Sequence, residues 1–186
     1  MHLLVGLGNP GPTYQYTRHN AGFLALEAIR QHYDFSQWKA QYKGLVSKGN
    51  IGPHSVLLLQ PQTFMNVSGQ SVQAATTFYK IPPQNLWVFH DELDIASGAL
   101  KYKQGGGDAG HNGLKSITAA LGANYHRVRI GIGRPTPPLD AADYVLQSYT
   151  TPEIQVLATL LAKLVPALPD FLSQPQQTLA KLGNNK

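Results

Sequence analysis

Three short apolar runs constrain this chain most: Leu3-Leu4-Val5, Val56-Leu57-Leu58-Leu59 and Leu86-Trp87-Val88-Phe89. Each is flanked by glycine or polar residues and has no polar face, the pattern of strands buried on both sides of a sheet. The intervening segments follow another period. Ala25, Leu26, Ile29 and Tyr33 recur at helical spacing from about Asn20 to Tyr33. Val72, Ala75 and Tyr79 do the same before Pro82-Pro83 stops them, and a third helix is expected from about Asn112 to Leu121. Leu45-Val46 adds a strand, joined to the 56–59 run by the turn-rich segment Gly49 to Pro53. Two segments alternate apolar and basic residues as half-exposed strands do: Leu100, Tyr102 and Gln104 with Lys101 and Lys103, and Val128, Ile130 and Ile132 with Arg127 and Arg129. The tail from Pro152 reads as helix interrupted at Pro166, Pro169 and Pro175. Strands alternating with helices predict the α/β class: one domain over 1–186, with a twisted mixed β-sheet surrounded by helices.

With no cysteine, the chain has no disulfide scaffold, iron–sulfur cluster, thiolate zinc site or cysteine nucleophile. Its formal net charge is +5, and the excess is local. Residues 101–134 hold Lys101, Lys103, Lys115, Arg127, Arg129 and Arg134 against Asp108 alone, and the rest of the chain is balanced. Such clustering fits a polyanionic partner as well as a solvated basic face. Residues two apart on a strand point the same way, so Lys101 with Lys103 and Arg127 with Arg129 would form one basic platform if their strands are neighbours. The start Met1-His2-Leu3-Leu4-Val5-Gly6 lacks a charged n-region and a long apolar stretch, and no membrane segment is expected, which makes the cytoplasm the default location.

Some motifs mislead. Gly6-Leu7-Gly8-Asn9-Pro10-Gly11 matches G-x-G-x-x-G after a strand, but Pro12 follows where the dinucleotide fold needs a helix to open, and the nearest spaced acid, Glu27, falls inside the first helix. Gly105 to Gly110 has phosphate-loop spacing but is followed by His111-Asn112 instead of Lys-Ser/Thr.

Four loops and one further segment carry the candidate chemistry: Gly8 to Gly11, Thr17 to Asn20, Thr63 to Asn66, Gly110 to Gly113, and His90 to Asp94 after the third buried strand. They offer Asn9, Asn20, Asn66, Asn112, His19, His111 and Asp91. A histidine near neutrality can take a proton from water, a carboxylate can fix its tautomer, and side-chain amides can bind a peptide bond and an oxyanion without charge. That set suits hydrolysis of an acyl ester by activated water. Each residue also has a structural alternative. His19 could be a first-turn surface histidine, Asn9 and Asn20 turn or capping residues, Asp91 a solvated strand end, His111 a helix cap, and Phe64 and Met65 plain core. A metal site from His19, Asp91 and His111 is disfavoured by the absence of close ligand spacing.

The segments VGLGNPG (5–11), TRHNAG (17–22), TFMNVSG (63–69), HDELD (90–94), KYKQGGGDAGHNG (101–113) and RVRIGIG (127–133), in this order, closely resemble the bacterial peptidyl-tRNA hydrolase family over essentially the whole chain. The resemblance implies cleavage of the ester between a peptide and the 3′ ribose of tRNA by a cytoplasmic monomer without cofactor or metal. His19 would be the general base, Asp91 its carboxylate partner, and Asn9 the residue that helps tell N-blocked from free aminoacyl groups. Asn66, Asn112 and His111 would bind substrate, Tyr14 and Phe64 would contact the peptide and terminal adenosine, and Met65 would line the site. Lys101, Lys103 and Arg129 would hold acceptor-stem phosphates. One departure is Gly107-Asp108-Ala109-Gly110, where the family often continues in glycine and histidine; Asp108 places a negative charge near the expected phosphate path. A non-catalytic RNA-binding protein of the same fold is the alternative reading.

Overall fold

β1 (His2–Gly6) lies at the centre of one seven-stranded sheet. The structure, a computed structural model, describes residues 1–183, so the last three residues of the expected 1–186 domain lie outside the described residues. The other strands are β2 (Lys39–Gln41), β3 (Gly44–Ile51), β4 (His54–Pro61), β5 (Leu86–Glu92), β6 (Leu100–Gln104) and β7 (His126–Gly131). Their order is β2-β3-β4-β1-β5-β7-β6. β1 pairs in parallel with β4 and β5, and β5 with β7, while β2, β3 and β6 run antiparallel to their neighbours. This is the expected mixed sheet.

Helices α1 (Ala21–His32), α2 (Ser68–Tyr79), α3 (Asn112–Leu121), α4 (Ala141–Val145), α5 (Thr151–Leu164), α6 (Leu168–Phe171) and α7 (Pro175–Lys181) complete the chain. Two apolar cores form because successive strand side chains alternate between faces. Leu4, Leu58, Trp87, Phe89, Val128 and Ile130 pack with α1 and the C-terminal helices. Leu3, Val5, Leu57, Leu59, Leu86 and Val88 pack with α2 and α3. Full burial of one such side chain contributes about 1.5–3 kcal/mol. α1 closes on the carboxyl ends of β1 and β5 because Gly22 lets the backbones touch: a Cβ there would stand 2.3 Å from the Phe89 carbonyl oxygen.

The structure revises several expectations. Gly49 and Asn50 belong to β3, paired with Val56 and Ser55, so the turn shrinks to Gly52-Pro53. Gly49 is there for space, since a Cβ would meet the Phe35 ring at 2.7 Å. β5 runs on through His90-Asp91-Glu92, all buried, so Asp91 is a strand residue and not a solvated end. α4 and β2 escaped the sequence reading because each is very short. As expected, the α-helix is interrupted at Pro166: α5 ends at Leu164, a 3-10 turn spans Val165–Ala167 and α6 follows, with Pro166 and Pro169 in first-turn positions where a missing N–H costs nothing and the chain stays helical through Phe171. By length and mean hydropathy, 1.4, that run, Thr151–Phe171, could cross a membrane. Its apolar face instead fills the core through Leu157, Leu161, Leu164, Leu168 and Phe171.

Candidate active site

The parallel arrangement brings the turns after β1 and β4 and the carboxyl ends of β5 and β7 to one side of the sheet, where α/β proteins bind ligands. His19 stands in a single 3-10 turn, Arg18–Asn20, that leads into α1. Asp91 comes from β5, and His111 caps α3. The three side chains form one chain of hydrogen bonds. His19 Nδ1 lies 2.9 Å from Asp91 Oδ2, and His111 Nε2 lies 2.8 Å from Asp91 Oδ1.

The protons in this chain can be assigned. His111 Nδ1 accepts from the backbone N–H groups of Gly113 and Leu114, so the His111 proton is on Nε2 and is donated to Asp91. Asp91 therefore accepts on both oxygens. His19 donates from Nδ1, which leaves Nε2 as its lone-pair nitrogen. Burial opposes charge on both Asp91 and His19. At Asp91 the neighbouring His19 and His111 overcome it and hold the carboxyl well below the ordinary range. At His19 burial is likewise outweighed, by the Asp91 carboxylate and its hydrogen bond, and the pKa is raised above 6.5. His90, on the same strand, is fully buried and goes the other way: burial and the neighbouring His111 push it down to about 3, so it stays neutral.

His19, Asp91, His111 and Asn112 line a cavity of about 280 Å³, closed by Glu92, Leu93, Ala109 and Gly110 and by Ala141, Ala142 and Val145 around α4. Asn9 lines a neighbouring polar groove with Asn20. The two asparagines clasp each other: Asn9 N–H donates to Asn20 Oδ1, and Asn20 Nδ2 donates to the Asn9 carbonyl. Asn9 Oδ1 accepts the Met65 N–H at 2.8 Å, so Asn9 offers substrate only its Nδ2 donors.

Not every expected residue converges. Met65 is buried beneath the site, and its backbone, not its side chain, orients Asn9. Asn66 is exposed beside the 60% exposed Phe64, and Tyr14 is half-buried; none of the three lines the His19 cavity. The His111 cap, first read as an alternative to function, is part of the relay, because one ring nitrogen caps the helix while the other holds Asp91. As a metal site the trio is poorly suited. Its donor atoms lie within 4.8 Å of one another, but a cation would have to break both N–H···O bonds and the helix cap.

The basic platform holds only in part. The register places Lys101 opposite Arg129 and Lys103 opposite Arg127, on neighbouring strands as the expectation required. Arg127, however, is 1% exposed; it donates to the carbonyls of Ala123 and Gly106 and stacks on Tyr125, so it braces the glycine-rich loop instead of facing a partner. Arg129 pairs with Glu92 at 3.1 Å, and Arg134 with Asp94. Lys101, Lys103 and Lys115 are left as cations without a carboxylate within salt-bridge distance among the described residues. Asp108 is used locally, accepting the Gly110 N–H, which turns its charge into the loop. Sequence reasoning missed Glu153, Tyr144 and Gln147, which gather around Arg18. The Thr150-x-x-Glu153 capping box was legible, but its second task was not.

Comparison with known proteins agrees on one family. A sequence model described as peptidyl-tRNA hydrolase matches residues 3–186. The peptidyl-tRNA hydrolase of Cereibacter sphaeroides is 53% identical over 161 residues, covering 87% of this chain and 72% of the relative. That of Rhodospirillum centenum is 47% identical over 98% of this chain and 81% of its own length. A crystal structure of the Acinetobacter baumannii peptidyl-tRNA hydrolase superposes with a TM-score of 0.89 at 40% identity, covering 97% of this chain and 93% of that one.

Proposed function

The chain belongs to the peptidyl-tRNA hydrolase family and is an enzyme that hydrolyses peptidyl-tRNA; from that premise we propose how its own residues carry out the reaction. Nε2 of His19 takes a proton from a water molecule as the water oxygen attacks the ester carbonyl carbon. Asp91 holds the imidazole in the Nδ1–H tautomer and stabilises the imidazolium that forms. The carbonyl oxygen becomes an oxyanion, stabilised by the neutral amide of Asn112, which lines the same cavity as His19. When the tetrahedral intermediate collapses, the ester C–O bond breaks. The ribose oxygen leaves with the proton from His19 Nε2, which restores the base. The observation that carries this reading is the relay His111–Asp91–His19, which leaves a basic nitrogen on a residue lining a cavity. Nothing in the comparisons favours the non-catalytic RNA-binding alternative.

The pinned Asn9 amide supports a role in substrate choice. It presents donors only, so it can bind the carbonyl oxygen of an N-acyl group and finds no acceptor on a free ammonium group. N-acetyl-aminoacyl-tRNA is expected to be cleaved much faster than free aminoacyl-tRNA. Asn9→Ala should narrow the ratio by about five- to tenfold, the worth of one hydrogen bond of ~1 kcal/mol. Equal rates for both substrates in the parent chain would refute the discrimination.

Phosphates of the acceptor stem and the 3′ end would lie along β6, on Lys101 and Lys103, with Arg129 held nearby by Glu92. We place Tyr14, Phe64 and Asn66 on the rim, where a flexible peptide or adenosine meets the protein, and read the chain as a cytoplasmic monomer of one domain. Joint Lys101→Ala and Lys103→Ala substitution is expected to flatten the salt dependence of tRNA binding, lowering the log–log slope by roughly 0.7–0.9 for each lost phosphate contact. Peptidyl-adenosine should be turned over as before. An equal loss on both substrates would remove the lysines from the RNA path.

A further inference from the structure

Arg18 directly precedes His19, yet its guanidinium is committed elsewhere. Nε and Nη2 donate to the two carboxylate oxygens of Glu153 at 3.0 and 2.8 Å. Nη1 donates to the Tyr144 carbonyl at 3.0 Å and to Gln147 Oε1 at 3.3 Å, and the group lies 4.0 Å from the centre of the Tyr144 ring. The side chain is 7% exposed. Backbone contacts follow the same seam: Arg18 N–H donates to the Gln147 carbonyl, Tyr149 N–H to the Tyr16 carbonyl, and Thr17 forms an isolated antiparallel bridge with Ser148.

What this seam secures is α4. Ala141, Ala142 and Val145 form one wall of the His19 cavity, but the helix has five residues and buries none of them. A helix that short does not persist by itself, and this one has little apolar packing to hold it. Its fastenings are polar: Arg18 beneath Tyr144, and the Tyr144 hydroxyl donating to the Ile132 carbonyl at 2.7 Å. Glu153 is itself fixed, since it closes the capping box of α5 with Thr150.

We propose that the Arg18–Glu153 pair is a positioning device that holds the α4 wall of the cavity in register with the turn bearing His19, so that base and substrate-facing wall move as one body. The proposal rests on the hydrolase reading of the cavity. Arg18 touches no reacting atom; it acts through Tyr144 and Gln147 on one side and through the peptide bond to His19 on the other. A planar fork suits this task, because one group must satisfy two carboxylate oxygens, a carbonyl and a ring face together.

The absence of cysteine allows a clean test. Arg18→Gln is expected to lower kcat/KM by ~100-fold, the scale of a displacement of about 1 Å in a catalytic site, with most of the loss in KM. Arg18→Lys should recover only part of it. Thr17→Cys with Ser148→Cys is then added to Arg18→Gln, because an antiparallel bridge pair has a Cα separation of ~4.5–5.5 Å, within reach of a disulfide. The oxidised form should regain at least about tenfold in kcat/KM over the reduced form of the same chain, chiefly in KM, as expected when the misplaced wall is refastened. Melting temperature and far-UV circular dichroism are followed on both forms. Parent-like KM and kcat in Arg18→Gln would overturn the proposal. So would an oxidised form that melts higher without recovering KM. Should Arg18→Gln fail to fold, Glu153→Gln keeps the volume and the acceptor for the Thr150 N–H, and is read in the same way. A parent chain that cleaves no peptidyl-tRNA would instead overturn the functional reading itself.

Discussion

His19→Ala is expected to lower kcat for peptidyl-tRNA hydrolysis by ~10²–10⁴-fold, the usual contribution of a general base, with a much smaller change in KM. His19 is almost wholly buried, and among the described residues its side chain hydrogen-bonds Asp91 alone. Alanine therefore removes the nitrogen that receives the water proton while leaving the sheet and both cores untouched. A pH profile separates this from a packing effect. The base works when neutral, and the Asp91 carboxylate raises the His19 pKa above 6.5. In the parent enzyme kcat/KM should therefore fall as pH is lowered, with a midpoint above 6.5. The residual activity of the alanine variant should lack that limb. Near-parental turnover in His19→Ala, or an unchanged acid limb, would sink the assignment.

The second large effect is expected from Asp91→Asn, which is nearly isosteric and removes the charge. Asp91 accepts two N–H groups, one on each oxygen, and an amide has only one acceptor oxygen, so it can accept from only one of the two imidazoles. Its NH₂ must face either His19 or His111. Facing His111, it would require a lone pair on Nε2 and hence a proton on Nδ1, which would destroy the cap on Gly113 and Leu114. A lost N-cap costs ~1 kcal/mol, with a further penalty for the orphaned donors. Facing His19 costs less, but it puts the His19 proton on Nε2, where the base must be bare. The amide is thus steered into the orientation that disables catalysis. A loss in kcat of about 10⁴-fold is expected, as when a triad aspartate is replaced by asparagine. The melting temperature should change only modestly. Nitrogen-15 NMR of the imidazoles reads the tautomers directly: His19 should switch from Nδ1–H to Nε2–H while His111 stays as it is. A His19 that keeps its Nδ1 proton in the variant would refute the steering.

The sequence was most legible where periodicity and burial coincide. The runs at Leu3, Val56 and Leu86 could be buried strands and little else, and the helices around Leu26 and Val72 follow from one-sided spacing. Lys101 and Lys103 could be placed on one face from alternation alone, and their pairing with Arg129 and Arg127 followed once β6 met β7. What alternation could not tell is that Arg127 is spent on two loop carbonyls, because its partners are backbone groups that carry no residue signature. The members of the site were legible as residue types, but their connection was not. Asp91 and His19 are 72 positions apart and Arg18 and Glu153 are 135 apart, distances at which only the completed sheet brings side chains together. His111 shows the limit best, since both readings weighed for it are true of different nitrogens of one ring.

The strand order has a consequence for the chain as it leaves the ribosome. β5, which carries Asp91, is flanked by β1 and β7, and β7 begins 34 residues after β5 ends at Glu92 and 15 after His111. Until 126–131 are made, β5 has no strand to pair with on that margin. Glu153 arrives later still. A partly synthesised copy can thus own every residue of the relay and still lack the strand that flanks Asp91.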